Sequence, residues 1–112
     1  MLAQYDGVDA AAAREHLAYF IRAVAPVAEE AGILLAIHPD DPPVPLLGLP
    51  RVVSTEDDVK HVLSAVDSRH NGLTFCVGSY GSSPDNDVEG MAERHALHAE
   101  TVWPGLCCNN AP

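Results

Sequence analysis

The order of its apolar runs constrains this chain more than any other feature. Two short runs, Ile33-Leu34-Leu35-Ala36-Ile37 and Leu73-Thr74-Phe75-Cys76-Val77, each follow a segment with helical spacing. Runs of this length between chain breakers read as strands buried on both faces. Strands that alternate with helices form parallel βαβ units with right-handed crossovers. The expected fold class is therefore α/β, with parallel strands joined by helices and the two strands as neighbours.

The helices carry their own signals. Leu17, Phe20, Ile21, Val24, Val27, Ala28 and Ala31 share one helical face, opened by Asp6 or Asp9 and closed by Gly32. Pro26 lies inside that pattern and predicts a kink or a break. Ser54-Thr55-Glu56-Asp57-Asp58 has the form of a capping box with Asp in place of Glu, and Val59, Val62, Leu63 and Val66 continue as a stripe. Asn71-Gly72 reads as a turn before the second strand. Gly78 to Pro84 reads as a flexible loop, after which Asp85 or Asn86 caps a third helix through Val88, Met91 and Ala92. Beyond Arg94 the periodicity fails. One domain over residues 1–94 is expected, with an irregular tail over 95–112.

Charge and composition remove several function classes. The net charge is −10, and the six basic residues are scattered with no two adjacent. No basic stripe follows a phosphate backbone, so nucleic acid is excluded as a partner. No apolar run approaches the ~20 residues of a membrane helix, and Met1 to Asp6 does not resemble a signal peptide. Cys76, Cys107 and Cys108 are an odd number with two adjacent, which is no disulfide framework and points to a reducing cytoplasm.

In a parallel α/β protein the chemistry gathers at the carboxyl ends of the strands. His38 directly follows the first run and Cys76 lies near the end of the second. Imidazole and thiolate are both good ligands for a transition metal. The plain alternatives are a loop histidine and a small buried hydrophobe. Asp40 and Asp41 follow His38 in the proline-stiffened loop His38-Pro39-Asp40-Asp41-Pro42-Pro43-Val44-Pro45, where they can orient the imidazole, act as acid or base, bind hydroxyls, or simply face solvent. Arg51 is the one cation beside these loops and a candidate for a substrate carboxylate. Ser79, in Gly78-Ser79-Tyr80-Gly81, is a candidate wall of the same site.

The strings Leu35-Ala36-Ile37-His38-Pro39-Asp40-Asp41-Pro42-Pro43 and Leu47-Gly48-Leu49-Pro50-Arg51 resemble the mannonate dehydratase family. So do Asn71-Gly72-Leu73-Thr74-Phe75-Cys76-Val77-Gly78-Ser79, Pro84-Asp85-Asn86-Asp87 and Pro26-Val27-Ala28-Glu29-Glu30-Ala31-Gly32. The resemblance runs from about Leu17 to Met91. It implies a TIM-barrel fold, here as a partial barrel of about three βα units. It also implies metal-dependent dehydration of D-mannonate to 2-keto-3-deoxy-D-gluconate in hexuronate catabolism. It implies a divalent metal, Mn2+ first and Fe2+ or Co2+ as substitutes, with His38 and Cys76 at ligand positions.

A TIM barrel takes about 250 residues. The family's later His and Asp ligands find no counterpart after Met91, so the tail is expected to be a truncated or out-of-frame end. The chain alone is expected to be inactive and to self-associate through exposed strand edges. Two other readings stay open: a related sugar isomerase or epimerase, and a non-catalytic α/β interaction module.

Overall fold

The structure, a computed structural model, describes residues 2–98. A short 3-10 turn at Leu2–Tyr5 leads into α1, Ala10–Ala31. Alanine-rich sequence favours the helix, and Asp9 caps it, its carboxylate accepting from the Ala12 amide at 2.8 Å. α1 runs on through Pro26 without a break, contrary to the expected interruption. Pro26 withholds one amide from the helix ladder, but both it and Arg22 one turn earlier are exposed, so water can satisfy the orphaned carbonyl. Gly32 ends α1 in the left-handed conformation at φ 69°. Its amide donates to the Glu29 carbonyl at 3.1 Å and that of Ile33 to Ala28 at 2.8 Å, which closes the last turn.

β1, Leu35–Ile37, pairs in parallel with β2, Asn71–Leu73, in the register Leu35 to Asn71, Ala36 to Gly72 and Ile37 to Leu73. The expected parallel neighbours are present, with both strands shorter than the apolar runs. β2 begins at the Asn71-Gly72 pair expected to turn. A Cβ on Gly72 would lie 2.8 Å from the His98 carbonyl oxygen and 3.2 Å from that of Leu35, so this glycine admits backbone on both sides rather than bending the chain. Asn71 is buried, and its amide donates to the carbonyls of Val62 at 2.9 Å and Val66 at 3.1 Å. It thereby closes the end of α2, Glu56–Ala65.

The capping box of α2 is as the sequence indicates. The Thr55 hydroxyl accepts from the Asp58 amide at 3.2 Å, and the Asp58 carboxylate accepts from Thr55 at 3.1 Å and Ser54 at 3.0 Å. The segment expected to be a loop contains a helix, α3, over Val77–Gly81. α4, Val88–Arg94, is capped by Asp87 rather than Asp85 or Asn86. Asn86 instead ties the α3–α4 connection to the Ser54 and Tyr80 carbonyls at 2.8 and 3.0 Å. A second 3-10 turn, Ala96–His98, packs beside β2, so the start of the presumed tail is built into the fold. The remainder of that tail, including Cys107 and Cys108, lies outside the described residues.

Ile21, Val53, Val59, Val62, Leu73, Phe75, Tyr80 and Met91 form the core between α1, α2 and the sheet. α1 contributes Ala18, Ile21, Ala25 and Ala28, and its small residues let α2 approach. β2 is buried on both faces as expected, whereas β1 is not. Ala36 is exposed, and the preceding Ile33 and Leu34 are 56% and 43% exposed. Half of the expected apolar face of α1 is open too, with Phe20 and Val27 exposed. Among the described residues nothing lies beyond β1 to cover this side.

Candidate metal centre

The register puts the two candidate ligands at the same end of the sheet. Ile37 and Leu73 are partners, and the Thr74 amide continues the ladder to the Ile37 carbonyl at 2.9 Å. His38 leaves β1 immediately, while Cys76 lies three residues past β2 because the strand starts and ends earlier than its apolar run suggests. The His38 ring Nδ1 stands 2.7 Å from the Pro39 carbonyl oxygen. A carbonyl only accepts, so Nδ1 carries the proton and, in neutral imidazole, Nε2 keeps the lone pair that a metal needs.

Cys76 is buried at the N-terminal boundary of α3 and belongs to no disulfide among the described residues. The Ser79 hydroxyl, one helical turn on and also buried, donates to its Sγ at 3.2 Å. The fold therefore sets Ser79 beside the candidate ligand, with its hydroxyl on the sulfur. Tyr80, next to it, stacks at 5.1 Å from Phe75 and is sealed from solvent, with no partner for its hydroxyl among the described residues. Burial pushes its phenol well above the usual range, and the negative charges of Asp58, Cys76 and Asp40 add to that. Sequence reasoning passed over Tyr80 as part of a loop. An aromatic amid Gly and Ser, in a chain with only 5% aromatics, was the available signal.

Asp40 is engaged within its own loop. Its Oδ2 accepts from the amides of Val52 at 3.0 Å and Val53 at 2.8 Å and from the Ser54 hydroxyl at 3.3 Å. Its amide in turn donates to the Val53 carbonyl at 2.8 Å. Arg51 lies 3.7 Å from Asp40 Oδ1, and its Nε donates to the Val44 carbonyl at 3.2 Å. Arg51 also lines a cavity of about 400 Å³ with Tyr5, His16, Leu49 and Pro50. Between Val44 and Arg51 the chain reverses through Leu47 and Gly48, both at positive φ, with Leu46 and Leu49 bridged across the turn. Asp41 is exposed in the proline-rich stretch.

One imidazole with a defined tautomer follows β1, and one buried sulfur follows β2, both beyond the carboxyl ends of the paired strands. That donor set suits half of a first-row transition-metal site. Among the described residues, no group of three or more His, Cys, Asp or Glu side chains is placed to hold an ion by itself. Glu56 with Arg94 and His95 forms a separate cluster that ties α4 to α2. No helix among the described residues is long and apolar enough to cross a membrane.

The family model described as D-mannonate dehydratase (UxuA) matches residues 1–102. The mannonate dehydratase of Chromohalobacter salexigens is 60% identical over 96 residues, which are 86% of this chain and 25% of that protein. Mannonate dehydratase 2 of Agrobacterium fabrum is 53% identical over 96 residues, 86% of this chain and 24% of that protein. The crystal structure of mannonate dehydratase from Streptococcus suis serotype 2 superposes with a TM-score of 0.79 at 46% identity, over 83% of this chain and 27% of that one. The chain thus spans about a quarter of the length of the relatives it matches.

Proposed function

The chain belongs to the D-mannonate dehydratase family, and from that premise we propose that it carries part of the centre that dehydrates D-mannonate to 2-keto-3-deoxy-D-gluconate. The same premise makes residues 1–94 a section of a TIM barrel and the protein a cytoplasmic enzyme of hexuronate catabolism. The observation that supports the reading is that His38 and Cys76 both follow the carboxyl ends of adjacent parallel strands, where barrel enzymes keep their chemistry.

A divalent cation, Mn2+ by family with Fe2+ or Co2+ as substitutes, would be held by His38 Nε2 and Cys76 Sγ together with ligands from elsewhere. When bound, it supplies Lewis-acid polarisation of the sugar acid's carboxylate, which acidifies the neighbouring C2–H. The chain's own residues position and shield. Ser79 donates to the Cys76 sulfur and steadies it as a ligand. Arg51 lines the cavity beside the same loop and offers a cation for the sugar-acid carboxylate. Asp41, exposed beyond His38, is placed to accept from sugar hydroxyls. Loss of water from C2 and C3 requires a base for the C2 proton and an acid for the departing hydroxyl; neither role is assigned to a residue of this chain.

A chimera tests the reading. Residues 3–98 replace their counterpart in the Chromohalobacter relative, and formation of the 2-keto product from D-mannonate is followed with Mn2+ present. The chimera is expected to keep dehydratase activity within about tenfold and to lose it with His38→Ala or Cys76→Ala, whereas the isolated chain shows little or no turnover. A folded, metal-loaded chimera without activity would overturn the proposal. So would activity that persists without His38.

A further inference from the structure

A single peptide unit links the candidate ligand to the loop that follows it. The unit joins the Pro39 carbonyl to the Asp40 amide, and a trans peptide is planar, so its C=O and N–H point in opposite directions. On one side, the carbonyl oxygen receives the His38 ring Nδ1 at 2.7 Å. On the other, the Asp40 N–H donates to the Val53 carbonyl at 2.8 Å. Val53 is itself held by Asp40, whose Oδ2 accepts from the Val52 and Val53 amides and the Ser54 hydroxyl. The Pro39 ring fixes its own φ, and Pro39 is buried. Rotation of this peptide plane would break the Asp40–Val53 bond and the His38–Pro39 bond together.

We infer that Asp40 is a positioning residue, which straps the 52–54 backbone so that the Pro39 carbonyl holds the His38 imidazole in the Nδ1–H tautomer. The inference rests on the proposed metal role of His38 for its purpose, although the tautomer itself exists without any metal. Three donors on one carboxylate oxygen are more than a solvent-facing loop acid collects, and their sequence separation of 12–14 residues makes the strap a long-range closure. Second-layer partners of this kind commonly govern metal affinity by about 10–100-fold. The Arg51 guanidinium stands 3.7 Å from the other carboxylate oxygen.

The test is a long-range 1H–15N spectrum of the full labelled chain without metal, at about pH 8.5 so that the imidazoles are neutral. His70 is an internal control, because its Nδ1 lies 2.7 Å from the Ile33 carbonyl and owes nothing to Asp40. In the wild type, His38 and His70 are both expected as Nδ1–H tautomers. Asp40→Ala is expected to move His38 toward Nε2–H and leave His70 unchanged. Asp40→Asn, whose amide oxygen can take the place of Oδ2, restores the His38 pattern. If Asp40→Ala also erases the His70 pattern, it has unfolded, and Asp40→Glu replaces it as the deciding variant. There the longer side chain cannot hold residues 52–54 without shifting the 39–40 peptide, so the His38 signal must change. In a parallel titration of the chimera, which carries the remaining ligands, followed by water-proton relaxation, Mn2+ affinity should fall about tenfold or more with Asp40→Ala and less with Asp40→Asn. An Nε2–H His38 in the wild type overturns the inference, as does an unchanged Nδ1–H His38 in a folded Asp40→Ala protein. The expected tautomers with a folded chimera whose Mn2+ affinity is unchanged by His38→Ala would uphold the strap and sink the metal reading instead.

Discussion

Glu56 shows how one side chain couples two elements of this fold. The Arg94 guanidinium grips its carboxylate with Nε at 2.6 Å and a second nitrogen at 3.0 Å, and the His95 ring Nε2 approaches at 3.1 Å. The hydrogen bonds from Arg94 depress its pKa from 4.5 to about 2; partial burial opposes them, and His95 and the charge of Lys60 assist. A carboxyl with a lower pKa in the folded state stabilises the fold fully above its unfolded value, and loses that contribution as pH falls through its folded value. The attachment of α4 to α2 should therefore weaken between about pH 4.5 and pH 2. A 13C titration of the Glu56 carboxyl should place its midpoint near 2, and Glu56→Gln should remove this part of the acid sensitivity. The pair is largely exposed, so added salt should lessen the effect. A Glu56 midpoint at the ordinary value would show that the Arg94 contact is not kept in solution.

Among the elements, α2 was the most legible and β2 the least. Thr55 and Asp58 stand three apart before an apolar stripe, and that local chemistry is enough to fix a helix start. What no local pattern revealed is that Asp58 is buried and also binds Arg14 of α1, its Oδ1 accepting from Nε at 3.0 Å and the second nitrogen at 2.9 Å. Asp58→Ala would remove the cap, worth about 1 kcal/mol, and would strand buried amides at about 1–3 kcal/mol in all. A loss of about 2–4 kcal/mol is expected, read from denaturant unfolding, with Asp58→Asn costing less; a change below about 1 kcal/mol would mean that Arg14 and the cap relax into solvent.

β2 escaped sequence reading because its determinants are long-range. Asn71 enters the strand to close the end of α2, and Gly72 to admit the His98 and Leu35 backbones, whereas both residues locally resemble a turn. α3 was hidden likewise, since Gly and Ser dominate it and only the burial of Tyr80 and Ser79 against the core makes it a helix. At the candidate site the strand ends were legible, and His38 and Cys76 both follow the same end of the sheet. The inward turn of Asp40 was not, because its partners lie 12–14 residues away.

At the scale of the whole molecule, the uncovered side of the sheet governs behaviour. Val24, Val27, Ala31, Ile33 and Leu35 line an apolar groove of about 280 Å³ between α1 and β1, and Phe20 and Leu34 are exposed as well. Apolar faces of this kind are uncommon on monomers, and parallel strands are ordinarily covered on both faces. A charge of −10 opposes close approach of two copies, but salt screens it to within about 8–10 Å at moderate ionic strength. The isolated chain is therefore expected to self-associate, more strongly as salt rises, and to melt in a broad transition. Phe20 and Val27 are 59% and 64% exposed, so Phe20→Glu with Val27→Glu should leave the fold intact while adding charge to the sticky face. Sedimentation velocity should show dimers or larger species in the wild type and a shift toward monomer in the double variant, with unchanged helical circular dichroism. A wild-type chain that sediments as one sharp monomer at moderate salt and unfolds cooperatively would show that residues beyond His98 close this face themselves.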